Sequence, residues 1–160
     1  MSLTKLPFNL QGNIFRSPMP FGDHDTSGEA FYKFKQENIS VIVLLAEDEE
    51  CLRKARCNLR EFYIQEGFQV IYFPITDFGV PSKDNIEHFA LKTIECARKG
   101  NNIVIHCSAG IGRTGLFAAY LAKQVFDLPG KEAIIWVRKY IDGAVETDEQ
   151  KQLIINDLNY

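Results

Sequence analysis

The chain contains no run of apolar residues approaching the ~20 that cross a bilayer as a helix, and its polar N-terminus lacks the apolar centre of a secretory leader. Cysteine and histidine are scarce, with four of the first and three of the second in 160 residues. The cysteines, at positions 51, 57, 96 and 107, show neither the paired spacing of a metal site nor the framework of a disulfide-stapled secreted domain. His24 and His88 belong to no ligand constellation, so neither a metal nor an organic cofactor is expected. Excess positive charge is missing too: a net charge of −3 and a pI of about 5.6 argue against general affinity for nucleic acid. Repeats, low-complexity tracts and linker-like stretches are absent. At 46% hydrophobic, residues 1–160 read as a single domain with a substantial core, expected to be a monomer. Free thiols suit a reducing compartment, and the cytoplasm is the expected location.

What is present is concentrated in ten residues, His106-Cys-Ser-Ala-Gly-Ile-Gly-Arg-Thr-Gly115. They follow the β-rich run Asn102-Ile-Val-Ile105 and lead into the apolar stretch Leu116-Phe-Ala-Ala-Tyr-Leu-Ala122. A strand, a glycine-rich turn and a helix N-terminus in that order make an anion cradle, because successive backbone N–H groups converge and the helix dipole adds positive potential there. A chance match to His-Cys-x-x-Gly-x-x-Arg-Thr-Gly in a chain of this length is on the order of one in a million. Each residue has a chemical reason. A thiol at a helix N-terminus can ionise near neutral pH or well below it, which makes Cys107 a candidate nucleophile. Arg113, brought round opposite it by the closed loop, can hold two phosphoryl oxygens with its planar fork. The backbone amides of Ser108, Ala109, Gly110, Ile111, Gly112 and Arg113 are the expected phosphate donors. Thr114 can hydrogen-bond the sulfur, and His106 is expected to orient the loop rather than transfer protons.

The loop resembles the signature of the cysteine-dependent protein tyrosine phosphatases, and Cys-Ser-Ala-Gly-Ile-Gly-Arg matches the wording common in tyrosine-specific members. The rest of the chain is similar to the small atypical dual-specificity phosphatases, through Ile75-Thr-Asp-Phe-Gly-Val-Pro81 upstream and Gly143-Ala-Val-Glu-Thr-Asp-Glu-Gln150 downstream. The resemblance implies that Asp77, on a loop able to close over the substrate, supplies and then removes a proton. Asp84, the nearest rival, directly precedes a helical run and reads as an N-cap. The resemblance also implies that Glu146 or Gln150 helps to place the hydrolytic water, although Thr147 and Gln150 equally form a capping box for the last helix. Relatives often carry Arg-Pro-Gly before this segment; Ile141-Asp142-Gly143 stands there instead, removing a positive charge that could support the loop or a second substrate phosphate.

Alternating strand and helix patterns predict an α/β fold, protein tyrosine phosphatase-like, with a central, mostly parallel sheet flanked by helices and the site at a strand's C-terminal end. Strands are predicted near Phe8 and over 13–16, 41–45, 68–73 and 102–106. Helices are predicted over 27–37, 49–65, 85–98, 114–126, 130–141 and 147–158. The 49–65 helix should bury Leu52, Ala55, Leu59, Phe62 and Tyr63 along one face. The acidic run Glu47-Asp-Glu-Glu50 reads as a solvated helix N-terminus, the alternative being that it borders the cleft and disfavours acidic substrates, and Trp136 reads as helix packing. Arg16 adjoins the expected site but is assigned no role.

The function expected on these grounds is hydrolysis of phosphorylated proteins through a phosphocysteine, with phosphotyrosine favoured over phosphoserine and phosphothreonine. The alternative is an inositol phosphate or phosphoinositide phosphatase using the same loop; uncharged Ser108, Ala109 and Ile111 argue against it. A non-catalytic phosphoprotein-binding module and a sulfur-transfer enzyme fit less well, because Cys107, Arg113 and Asp77 occur together.

Overall fold

The computed structural model describes residues 3–156. Strands β1 (Thr4–Leu6), β2 (Ile14–Ser17), β3 (Ile39–Leu44), β4 (Gln69–Tyr72) and β5 (Asn102–His106) form one sheet in the order β1-β2-β5-β3-β4. Only the edge pair β1–β2 is antiparallel; β2, β5, β3 and β4 are parallel neighbours. Among the described residues the helices are α1 (Glu29–Gln36), α2 (Asp48–Ala55), α3 (Leu59–Gln65), α4 (Lys83–Arg98), α5 (Gly112–Phe126), α6 (Gly130–Arg138) and α7 (Asp148–Ile155).

The sheet separates two apolar layers. Val41, Val43, Ile103 and Ile105 face α4–α7, whereas Phe15, Ile42, Leu44 and Val104 face α1–α3. Strands that are apolar on both faces belong in the middle of a parallel sheet. The alternation in β3 changes phase at a bulge: Ile39 pairs with Asn102 and Val41 with Ile103, so Ser40 is the extra residue. The bulge puts Ile39 and Ile42 on one side and Val41 on the other. Helix α5 is buried at every position from Gly112 to Lys123, as expected of a helix that is apolar all round. A Cβ at Gly115 would come within 2.5 Å of the Ala144 Cβ, so only glycine lets the start of α5 lie this close to the segment before α7.

The predicted architecture is the one observed, with several local differences. The first strand lies at Thr4–Leu6 rather than near Phe8, which instead packs in the core against Phe126 and Trp136. The single helix expected over 49–65 is two. Arg56 turns left-handed (φ 59°) after α2, and the Asn58 side chain accepts a hydrogen bond from the Glu61 N–H to begin α3. The break re-phases the buried face, so Leu52 is 51% exposed while Glu50 and Cys51 turn inward. Ser82, not Asp84, caps α4 by accepting from the Asn85 N–H. Helix α6 stops at Arg138, short of 141. The expected end of the last helix at 158 lies outside the described residues.

Loss of the α3 cap should be measurable. Asn58→Ala is expected to destabilise by about 1 kcal/mol in urea titration, whereas Leu52→Ala, at an exposed position, should stay within about 0.5 kcal/mol of the parent.

Candidate active site

Because β2, β5, β3 and β4 run parallel, the segments after them meet at one edge of the sheet. The β5 segment is the Cys107–Gly112 loop, which passes into the N-terminus of α5. Cys107 is 3% exposed, and its Sγ accepts a hydrogen bond from Thr114 Oγ1 at 3.1 Å. His106 is fully buried between two partners: Nδ1 lies 3.0 Å from the Cys107 carbonyl, and Nε2 lies 2.8 Å from the Tyr63 hydroxyl. A carbonyl only accepts, so Nδ1 carries the hydrogen and Nε2 accepts from Tyr63. Burial pushes the imidazole down to about 4, and the Arg113 charge adds to this against the pull of the Cys107 carbonyl. At neutral pH His106 is therefore an uncharged strut. It ties the loop to Tyr63, which packs with Phe31, Phe34 and Phe68 on the α1–α3 side.

Arg113 is 2% exposed and heavily engaged. Its Nη1 donates to Glu50 Oε1 at 2.8 Å and to the Ile75 carbonyl at 3.0 Å. Its Nη2 donates to Glu50 Oε2 at 2.9 Å and lies 3.2 Å from Asp77 Oδ1. Burial alone would raise the Glu50 carboxyl, but hydrogen bonds and charge from Arg113 and Lys54 win and pull it down to about 2. Desolvation works against the Arg113 charge as well; its hydrogen bonds to Glu50 and the negative charge expected at Cys107 outweigh it and raise its proton affinity. Of the five N–H donors on a guanidinium, three are thus taken by hydrogen bonds, and Asp77 stands at ion-pair distance from Nη2. A phosphoryl group reaching Arg113 would compete with Asp77 for the guanidinium charge. Asp77 is half exposed, and Phe78 beside it is held at φ 60°, a conformation unfavourable for an aromatic residue.

These groups surround a cavity of about 160 Å³ whose wall also includes Lys54, Ser108, Glu146 and His24. Lys54 Nζ bridges Ser108 Oγ (2.9 Å) and Glu50 Oε2 (3.0 Å). Glu146 lies against the loop, for a Cβ at Gly112 would fall 1.9 Å from its Oε1. Gln150 is committed elsewhere. Its Oε1 accepts from the Glu146 and Thr147 N–H groups, its own N–H donates to Thr147 Oγ1, and its Nε2 reaches the Gly79 carbonyl. The capping box therefore forms, and Glu146 is the member of the pair that faces the cavity. Gly110 takes φ 79°, and a Cβ there would meet Arg16 Nη2 and the Ser17 carbonyl at 2.3 Å.

Several contributors are invisible to motif reading. Glu50 came from a run that looked solvated, yet it is 5% exposed and paired with Arg113. Lys54, one helical turn further along α2, and Tyr63, in α3, carried no motif; the i, i+4 spacing of Glu50 and Lys54 was the only hint. Arg16, at the end of β2, donates to the Ala109 and Gly110 carbonyls. Ile141 lies in the core, and a nearby arginine, Arg138, holds the segment that follows it. Its guanidinium donates to the carbonyls of Ala144 (2.9 Å) and Val145 (3.1 Å). Val145 is held at φ 62°, strained for a β-branched residue, immediately before Glu146 turns to the cavity.

The comparisons with known proteins agree on one family. A family model described as "Polymorphic toxin system, DSP-PTPase phosphatase" matches residues 20–125. An uncharacterized protein of Methanocaldococcus jannaschii is 31% identical over 140 residues, covering 86% of this chain and 82% of that one. The dual specificity protein phosphatase CDC14B of Mus musculus is 29% identical over 144 residues; the match covers 88% of this chain but only 27% of that longer relative. Among solved structures, Tk-PTP in its active form superposes with a TM-score of 0.77 at 28% identity, covering 94% of this chain and 93% of that one.

Two outcomes test this electrostatic arrangement. Glu50→Gln should destabilise the protein by about 3 kcal/mol, as expected when a buried pair loses one charge, with the denaturation midpoint as the readout. His106 is the second case: its proton affinity is lower folded than unfolded, so its contribution is complete above pH 6.5 and is lost as pH falls toward about 4. At about 1.4 kcal/mol per tenfold change in affinity, that interval is worth about 3 kcal/mol. Stability should decline across it, and His106→Gln should flatten that decline.

Proposed function

The chain belongs to the cysteine-based protein tyrosine phosphatase superfamily, as a small atypical dual-specificity phosphatase, and on that basis we propose that it hydrolyses phosphorylated proteins through a phosphocysteine intermediate. The observation that carries this reading is the closeness of three groups around one small cavity: the Cys107 sulfur, the Arg113 guanidinium and the Asp77 carboxyl. In the first step the Cys107 thiolate attacks phosphorus, a P–S bond forms, and the P–O bond to the leaving group breaks. Asp77 gives its proton to the departing oxygen. Arg113 and the backbone amides of residues 108–113 hold the three phosphoryl oxygens as charge builds on them. In the second step water attacks phosphorus, the Asp77 carboxylate takes its proton, and the thiolate leaves with the Thr114 hydroxyl donating to it. Glu146, on the cavity wall, is placed to orient that water. Neither step uses a metal or an organic cofactor.

The cavity's size bears on the substrate. Drug-sized ligand pockets run to several hundred Å³; about 160 Å³ suits a phosphoryl group and the first atoms of its ester. Such a cleft admits phosphotyrosine, phosphoserine and phosphothreonine side chains. We place phosphotyrosine first, because a phenolate leaves more readily than an alkoxide. We also place the enzyme in a reducing compartment, since a thiolate nucleophile is lost on oxidation, and treat it as a monomer. The competing reading, hydrolysis of inositol phosphates or phosphoinositides, draws support from Lys54, a basic residue on the cavity wall.

Substitutions should divide the labour cleanly. Cys107→Ser abolishes turnover yet keeps phosphate-ester binding, and Arg113→Ala loses both. Asp77→Ala lowers kcat by about 10²–10⁴-fold on a phosphothreonine peptide; undiminished kcat there removes Asp77 from the role of acid. For substrate class, kcat/KM should fall in the order phosphotyrosine peptide, phosphothreonine peptide, inositol hexakisphosphate. If the inositol phosphate ranks first, the protein-phosphatase reading gives way to its competitor.

A further inference from the structure

We infer that Arg16 is a positioning residue of this site: from the end of β2 it holds the peptide planes of the Cys107–Gly112 loop so that their N–H groups face the phosphoryl group. The inference rests on the reading of that loop as an oxyanion cradle.

Three consecutive loop carbonyls are tied to the β2 side. Ser108 O accepts from the Met19 N–H at 2.8 Å. Ala109 O accepts from Arg16 Nη2 at 3.0 Å, and Gly110 O accepts from both Nε (3.0 Å) and Nη2 (2.9 Å). In a trans peptide the carbonyl of one residue and the N–H of the next point in opposite directions. Tying down the carbonyls of 108, 109 and 110 therefore turns the N–H groups of Ala109, Gly110 and Ile111 away from β2. Among the described residues no acceptor takes these three hydrogens. The left-handed φ of Gly110 and the absence of a Cβ there allow the guanidinium to come this close.

The electrostatics of Arg16 point the same way. It is 9% exposed and, among the described residues, forms no ion pair with a carboxylate. A buried cation without a partner is costly, and burial does weaken this one's hold on its proton, while the charge at Cys107 strengthens it. A guanidinium needed only for packing has no reason to fork onto two successive loop carbonyls. One that supports the cradle has its countercharge supplied by the thiolate and by the bound oxyanion.

The test begins with binding. Orthophosphate is titrated into ¹⁵N-labelled wild-type, Arg16→Met and Arg16→Lys proteins, following the amide signals of residues 109–111 and those of α4–α7 as a control on the fold. In the wild type the 109–111 signals should move together on binding. In Arg16→Met phosphate affinity should fall about tenfold or more and that concerted movement should vanish, with the helix signals unchanged. Arg16→Lys, able to reach one carbonyl but unable to fork between two, should fall in between; if Arg16→Met does not fold, this variant decides. With phosphorylated peptide, kcat/KM should drop about 10²-fold in Arg16→Met, the scale of losing oxyanion donors. Phosphate binding and amide shifts like the wild type's in whichever variant folds overturn the inference, as does a wild type that binds no phosphate. A wild type that binds phosphate through 109–111 but hydrolyses no monoester removes the proposed function and leaves the role of Arg16 to be judged by the variants.

Discussion

The bidentate pair between Glu50 and Arg113 is the contact on which the arrangement of the site depends. Four oxygen atoms compete for the guanidinium's terminal nitrogens, and only Glu50 supplies two of them. With that carboxylate in place, the arginine has a fixed plane, and Asp77 and the Ile75 carbonyl have a fixed partner. Without it, a charge that is 2% exposed would be left with only the half-exposed Asp77 as its carboxylate partner. The pair reaches across the sheet edge, joining a helix that follows β3 to one that follows β5. Lys54 extends it to Ser108, so the acidic side chain organises two cations rather than one.

The loop's own geometry is the complementary constraint. Carbonyls are pulled outward toward β2, the imidazole of His106 anchors the Cys107 carbonyl, and the Thr114 hydroxyl reaches back to the sulfur. Each of these contacts satisfies a polar group that burial would otherwise penalise, and each also limits where the next peptide plane can point. The shape of the loop is thus a by-product of hydrogen-bond satisfaction as much as of glycine content.

Much of the fold was legible because β-branched runs and amphipathic stretches alternate along the chain, and periodicity reports burial directly. The 106–115 segment was legible for another reason: its residue types are rare in combination, and their spacing matches one chemistry. What could not be read were contacts that depend on where a helix ends or how a chain turns. The break at Arg56–Asn58 left no strong breaker in the sequence, since an arginine rather than a glycine takes the left-handed position, and so the inward turn of Glu50 was hidden. Glutamate in the first turn of a helix is commonly a solvated partner of the dipole, and nothing local distinguishes the one that is buried. Arg138 was hidden in the same way: the carbonyls of Ala144 and Val145 come to it only after Val145 adopts a strained conformation. Gln150 was legible as a cap, but its bond to the β4–α4 loop at Gly79 joins residues 71 positions apart.

The parallel strands have a consequence for how such a protein can change over generations. The cysteine, its arginine and the amides between them all belong to one short stretch after β5, whereas His24, Lys54, Phe78 and Glu146 arrive on four other pieces of chain. The cavity wall is therefore assembled from several segments of the chain, one of them the stretch after β5. A substitution on any one of the outlying segments can reshape the cavity wall without altering the sequence of the loop after β5.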